Sequence, residues 1–288
     1  METEIKLKSR SDAPSKAKQE PTLDYKAFLN EQTNEWVVFL HGFGGNHTIF
    51  FKQMDYFKKH FNLLFIDLPG HGQSPFHAGV PCLLTGTSQH VISVMDNLSI
   101  ESAHFLGVSL GTIVMQSIAL EYPKRIKSMT LGGAAGKWLK WGEILGKITV
   151  SPLFRQTLPY MVPFQTFAHI MMPKRKHSFS RNIFIREARN LGQHVYLGWA
   201  SVIRDSHKVY DRLRKSTNTI PKLYVSGAED YMFLRGITNH VNKETSARLH
   251  IIQKCGHVCN IEKAAEFNEV ALDFINMVVQ TGEYGDVS

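Results

Sequence analysis

Hydrophobic positions along the chain gather into short continuous blocks separated by stretches with helical spacing. The blocks are WVVFL (36–40), LLFI (63–66), AHFLG (103–107), KSMTLGG (127–133), KLYVSG (222–227) and RLHII (248–252), each reading as a strand. Between them apolar residues recur three and four apart: Val91, Val94, Met95 and Leu98; Ile113, Val114, Ser117 and Ile118; and, after the last block, Ala264, Phe267, Val270, Ala271, Phe274 and Ile275. Buried run, loop and amphipathic stretch in repetition make βαβ units, which predict a mostly parallel sheet covered by helices on both faces. Ahead of the first block, Leu23, Tyr25, Ala27 and Leu29 alternate with polar neighbours and a polar turn covers residues 30–34. That pattern predicts a hairpin leading into WVVFL.

One interval breaks the rhythm. Residues 134–216 contain no strand-like run and are crowded with aromatics, from Trp138 and Trp141 through Phe164 and Tyr196 to Trp199 and Tyr210. Eighty residues are too many for a structureless loop, so the interval reads as an inserted helical subdomain. The expected organisation is a flexible tail over 1–21, a core built from 22–133 and 217–288, and the helical insertion between its two parts.

Composition changes this picture in three ways. The chain has 288 residues, 43% of them hydrophobic, enough for one large α/β domain. No apolar run approaches the roughly 18 residues of a membrane span, and the first twenty residues are charged and lack the apolar stretch of a signal peptide, so a cytoplasmic protein is expected. Cys82, Cys255 and Cys259 are an odd number of thiols, which argues against a disulfide framework. Cys255, His257 and Cys259 alternate, but a zinc site needs a fourth ligand at suitable spacing and none stands out, so no metal is expected.

The net charge of +8 is localised: residues 134–216 hold fifteen Lys and Arg against four Asp and Glu, a net +11, which leaves −3 for the rest. No basic block exceeds Lys174-Arg175-Lys176 and no nucleic-acid motif is present, which argues against nucleic-acid binding. Lys174, Arg175, Lys176, Arg181, Arg186 and Arg189 suit either the attraction of anionic acyl substrates or a plain solvated face.

The chemistry begins at Gly107-Val108-Ser109-Leu110-Gly111. A GxSxG pattern is weak alone and strong here, because a strand precedes it and a helix follows. A serine at the tip of so tight a strand-to-helix turn takes a strained backbone, and side chains two residues to either side would collide. The turn also points the first amides of the helix at the hydroxyl, where developing negative charge would meet N–H groups and the positive end of a helix dipole. A serine nucleophile requires a base and a group to orient it. Of fourteen histidines, His257 alone follows a late strand and precedes the final helix. The acid is expected after the KLYVSG strand, where Glu229 and Asp230 both stand; Asp230 is preferred. His41-Gly42-Phe43-Gly44-Gly45, directly after WVVFL, offers the Phe43 amide as a second oxyanion donor beside that of Leu110, each such donor contributing about 3 kcal/mol.

Together, the HG pair at 41–42, DLPGHGQS at 67–74, the elbow at 107–111, GAED at 227–230 and GHVCNIE at 256–262 resemble the α/β-hydrolase superfamily, in its subgroup with a helical cap and a serine nucleophile. The resemblance covers residues 23–280. It implies an eight-stranded, mostly parallel sheet, a cap inserted after the sixth strand, and a Ser109, Asp230, His257 triad that needs no cofactor. It implies a structural role for DxxGxGxS, so Asp67 and His71 are not counted as catalytic. Where relatives often carry a proline some residues after the acid, Tyr231, Met232 and Phe233 follow here.

The expected activity is hydrolysis of a carboxylic ester or thioester through an acyl-enzyme. Phe43, Val108, Trp138, Trp141, Met171 and Met172 are the candidate substrate-binding residues, and the expected partner is a small, amphipathic or anionic acyl compound. The same fold and triad leave open carbon–carbon bond hydrolysis, lyase chemistry and a ligand sensor with slow turnover.

Overall fold

The computed structural model describes residues 23–76, 83–136, 158–216 and 219–282, together with residues 144 and 151. Trp138 and Trp141 lie outside the described residues, as does Cys82.

Seven strands form one sheet: β1 (Tyr25–Phe28), β2 (Trp36–Leu40), β3 (Asn62–Ile66), β4 (Ala103–Val108), β5 (Ile126–Gly132), β6 (Lys222–Gly227) and β7 (Ala247–Ile252). Their spatial order is β1-β3-β2-β4-β5-β6-β7, with β1 antiparallel to β3 and every other pair parallel. All six apolar blocks became strands. The sheet therefore has seven strands among the described residues where the resemblance implied eight.

The hairpin expected at the start does not form. Tyr25 registers with Ile66 and Phe28 with Leu63, so β1 pairs with β3 and not with β2. Both edges of β2 are already occupied by parallel neighbours, Val37 lying opposite Leu63 on one side and His104 on the other. The half-buried β1 takes the sheet edge. Asn62 makes the detour possible: its side chain accepts from the Asn30 amide at 2.7 Å and donates to the Thr33 carbonyl at 2.9 Å, holding the connecting turn over the start of β3. An asparagine bonding to backbone this far away leaves no trace in the local pattern.

Alternation along the strands splits the core into two layers. Val38, Leu40, Leu64, Ile66 and Phe105 face one layer with α2 (Leu83–Asn97) and α3 (Leu110–Glu121). Val37, Phe39, Leu63, Phe65 and Leu106 face the other, where α1 (Phe51–Phe57) and the last described helix, Ala264–Thr281, pack through Phe57, Phe267, Ala271 and Ile275. Phe39 and Phe65 stack at 4.4 Å between ring centroids.

Between β5 and β6 lie α4 (Met161–Met171), α5 (Ser178–Ala188), α6 (Gln193–Arg204) and α7 (His207–Lys215). α7 packs along α3 and α6 against α2, and the insertion also meets the loops that follow β2 and β3. The indole N–H of Trp199 donates to Pro69 O at 2.9 Å, and Phe43 stacks on Tyr196 at 5.5 Å. A Cβ on Gly44 would fall 2.7 Å from Ala188 and 2.9 Å from Phe164, so this position, with φ +75°, accepts only glycine. After β6 the chain continues through α8 (Leu234–Val241), β7, a helical turn at Cys259–Glu262 and α9 (Ala264–Thr281). Among the described residues no helix is long and apolar enough to cross a membrane.

Candidate active site

Ser109 stands between the last residue of β4 and the first of α3, with φ +49° and ψ −112°. This left-handed backbone is costly for a residue with a Cβ, and the surrounding structure holds it in place: Ser109 N–H donates to Gly132 O at 2.9 Å, and Thr112 bonds back to Ser109 O through both its amide and its hydroxyl. The steric argument for the flanking glycines is met in a specific way. A Cβ on Gly107 would overlap the Met115 sulfur and lie 3.0 Å from the Gly111 backbone, whereas a Cβ on Gly111 would overlap the carbonyl oxygen of Leu40. The second glycine is thus demanded by the neighbouring strand and not only by the bend.

Three side chains meet at this edge. His257 Nε2 lies 3.0 Å from Ser109 Oγ, and His257 Nδ1 lies 2.7 Å from Asp230 Oδ2. The other carboxylate oxygen of Asp230 accepts from the Phe233 amide at 3.2 Å. Asp230 and His257 are buried and Ser109 is half-buried, so the hydroxyl is the open end of the chain of bonds. Of the two adjacent carboxylates, Asp230 reaches the imidazole while Glu229 turns away toward Lys174, Lys176 and His177. The loops bearing the acid and the base press together: a Cβ on Gly227 would overlap the Gly256 carbonyl.

The loop after β2 faces the same hydroxyl, with the position of a Cβ on Gly42 at 3.4 Å from that of Ser109. Two buried histidines pin it. His41 Nε2 accepts from Leu68 N–H at 2.9 Å and its Nδ1–H donates to Gly42 O at 2.8 Å; His71 Nε2 accepts from Gly44 N–H at 3.1 Å and its Nδ1–H donates to Pro69 O at 3.1 Å. Burial holds both imidazoles neutral, His71 down to about 3. The backbone N–H groups of Phe43 and Leu110 donate to no group among the described residues.

A cavity opens over Ser109 and His257, walled by Phe43, Ile49, Val108, Ile183, Phe184, Val258 and Ile261. Its surface is almost entirely carbon. Glu187 also borders it, but its oxygens are taken up by Asn46 at 3.1 Å and Arg186 at 2.7 Å. Phe43 and Val108, two of the candidate substrate-binding residues, line this cavity. Met171 and Met172 do not line this cavity; both are buried in the packing of the inserted helices, Met171 ending α4 and Met172 directly after it. Ile49, Ile183, Val258 and Ile261 were not foreseen, because nothing in their local sequence separates a cavity wall from ordinary core.

Cys255 and Cys259 are buried and free, and burial pushes the Cys259 thiol up to about 12, so neither is a ready thiolate. Asp24, His47 and Asp67 place three potential ligand atoms within 4.8 Å of one another. Asp67 already accepts from the His47 amide at 2.7 Å and faces its ring at 3.0 Å, a hydrogen-bonded knot that anchors the turn after β2.

A model of the α/β-hydrolase fold matches residues 35–264, and the chain belongs to that family. Among its relatives is the 2-hydroxy-6-oxo-6-phenylhexa-2,4-dienoate hydrolase of Comamonas testosteroni, 25% identical over 88% of this chain and 92% of its own length. The 3-oxoadipate enol-lactonase 2 of Acinetobacter baylyi is 23% identical over 87% and 91%. The dihydrolipoyllysine-residue acetyltransferase component of an acetoin cleaving system from Cupriavidus necator is 29% identical over 81% of this chain, which spans only 62% of that protein. Solved structures with the same fold include Est816, an N-acyl homoserine lactone degrading enzyme (TM-score 0.73, 21% identity, 88% and 96% of the two chains), and a hydrolase from Oleispira antarctica (TM-score 0.77, 16% identity, 92% and 99%).

Proposed function

We propose that the protein is a serine hydrolase that cleaves carboxylic esters through an acyl-enzyme. The observation that carries this reading is the unbroken chain Ser109 Oγ, His257, Asp230, with bonds of 3.0 and 2.7 Å. Ser109 Oγ attacks the ester carbonyl while its proton passes to His257 Nε2. The carbonyl oxygen, now an oxyanion, takes hydrogen bonds from the amides of Phe43 and Leu110. Asp230 stabilises the imidazolium. As the tetrahedral intermediate collapses, the bond to the alkoxy oxygen breaks and His257 returns the proton, so the alcohol leaves. Water then repeats the cycle: it adds to the acyl carbon, His257 accepts its proton, and that proton goes back to Ser109 as the acid departs. No cofactor enters any step.

The inserted helices act as a cap in this reading, with α5 supplying Ile183 and Phe184 to the acyl site. The carbon-lined wall suits a neutral, apolar acyl group. Four of the six cations named above are engaged within the protein, which weighs against an anionic one: Lys174 and Lys176 pair with Glu229, Arg186 with Glu187, and Arg181 donates to Met172 O. Relatives named as a lactonase and a dienoate hydrolase agree with an ester, lactone or related carbonyl substrate.

The test is an acyl-chain-length panel of p-nitrophenyl esters on wild type and Ser109→Ala, with neutral and anionic esters compared over a salt series. The expected outcome is turnover abolished in the variant, neutral esters preferred, and no salt dependence of the preference. Labelling of Ser109 by a fluorophosphonate with negligible turnover of every ester would favour a ligand sensor. A rate that collapses as salt rises, for anionic esters alone, would restore the anionic substrate.

A further inference from the structure

His177 is fully buried, yet its ring contacts two carboxylates that flank the candidate triad. Its Nε2 donates to Glu229 Oε2 at 2.9 Å and lies 3.8 Å from Glu262 Oε2. Glu229 immediately precedes Asp230 in the chain. Glu262 accepts from the Gly256 amide at 2.8 Å, and Gly256 immediately precedes His257. One imidazole from the inserted helices thus reaches both loops, one residue from the acid and, through Glu262, one residue from the base.

The surroundings are built for this contact. A Cβ on Gly256 would fall 3.3 Å from the His177 ring and 3.0 Å from Glu262, so glycine lets the ring approach the loop backbone. Ser180, one turn on, donates its hydroxyl proton to Glu262 Oε1 at 2.7 Å, holding the second carboxylate in place, with His177 O 3.0 Å from the same oxygen. Lys176 and Lys174 close on Glu229 Oε1 at 2.6 and 3.0 Å. The Lys176 hydrogen bond is the largest of the influences that lower the Glu229 carboxyl, to about 2, so it stays an anion for His177 to grip. On the core side, Glu229 N–H donates to Cys255 O at 2.8 Å, a direct tie between the two loops.

We propose that His177 is a positioning residue: it clamps the acid loop and the base loop together from the cap, so that the docked cap aligns Asp230 with His257. The inference rests on reading Ser109, His257 and Asp230 as a triad. A group acting in this way changes the geometry of the reacting atoms without touching substrate, and a misplacement of about 1 Å costs on the order of a hundredfold in rate.

The experiment compares wild type, His177→Ala and His177→Gln as full chains, Gln retaining a side-chain N–H that reaches Glu229. Three readouts are taken: kcat and KM on a p-nitrophenyl ester, fluorophosphonate labelling of Ser109, and the downfield proton resonance of the His257 Nδ1–H bonded to Asp230. In His177→Ala, kcat is expected to fall about 10- to 100-fold with KM within about twofold, and the resonance to broaden or vanish. In His177→Gln both are expected to return to near wild type. Thermal melting checks that each variant is folded; should His177→Ala not fold, His177→Asn, whose amide falls short of Glu229, takes its place.

A wild-type kcat and an intact resonance in the alanine variant would overturn the proposal, as would equal damage in alanine and glutamine. Failure of the hydrolase reading looks different: wild type is then not labelled at Ser109, while the resonance still reports whether His177 aligns the two loops.

Discussion

Gly111, on the first turn of α3, lies against the carbonyl group of Leu40 at the end of β2, so closely that a Cβ would overlap the oxygen and lie 2.9 Å from His41 O. The helix that carries the first candidate oxyanion amide is thereby packed directly on the loop that carries the second. Both contacts are with backbone and not with the far end of a flexible side chain. Gly111→Ala is expected to destabilise the fold by about 3 kcal/mol or more. Gly192→Ala is the contrast: nothing lies within 4 Å of its Cβ position, so its cost is backbone strain alone, from φ +79° and ψ +153°, and is expected to be about 1–3 kcal/mol. Urea denaturation of the two variants reads the difference.

Asp230→Asn keeps the shape of the acid and removes its charge, leaving His257 without a partner for the imidazolium. By analogy with other serine triads, kcat is expected to fall about 10³- to 10⁴-fold with little change in KM. Glu229→Gln is expected to cost about tenfold or less, since Glu229 faces the cap and not His257. Steady-state kinetics on both variants decide between the adjacent carboxylates; the larger loss at 229 would reverse the assignment.

Ile183 on α5 forms part of the wall of the cavity over Ser109, as does Val108. Ile183→Trp fills that space with ring, and discrimination of about 1–3 kcal/mol per methylene makes long acyl groups the first to suffer. On the p-nitrophenyl panel kcat/KM is expected to drop at least about tenfold for the longer chains and to hold for acetate. A uniform loss across chain length would mean that the residue supports the fold and not the acyl site.

His71 sets a pH limit. Burial holds its folded form neutral down to about 3, against 6.5 when exposed, so between these values the unfolded chain binds the extra proton. Stability is then present above pH 6.5 and is lost as the pH falls toward 3, with a slope of up to about 1.4 kcal/mol per pH unit from this group. Protonation would also turn Nε2 into a donor and break its bond to Gly44 N–H. His71→Gln can keep both hydrogen bonds without titrating. Urea midpoints measured from pH 7 to 4 are expected to fall less steeply in the variant; parallel curves would remove His71 from the account.

Much of the molecule was legible in one dimension because the relevant forces are local or repeat with a fixed period. WVVFL and KLYVSG became β2 and β6 residue for residue, since strands buried on both faces need uninterrupted apolar runs. The turn at Ser109 was readable from two glycines and its place between strand and helix. The chemical types at 230 and 257 were readable from their positions after late strands. Less was visible where a side chain serves a distant partner. Asn62 sends the chain past β3 and undoes the hairpin, and its sequence context is that of any polar residue at a strand start. Met171 and Met172, candidate substrate-binding residues by sequence, are buried among the inserted helices and do not line the cavity over Ser109, because hydrophobicity alone does not state which face of a helix meets a cavity.

What the chain determined by itself is therefore the set of elements and the strained serine between two of them: sterics within a few residues, and the periods of strand and helix, suffice for both. Only the folded arrangement decided which carboxylate meets His257, which edge β1 joins, and how His177 comes to lie beside Glu229 and Glu262. Those pairings depend on strand order and on helices docking across separations from 27 to 85 positions of sequence, where the free energy belongs to the packed whole and no single segment encodes it.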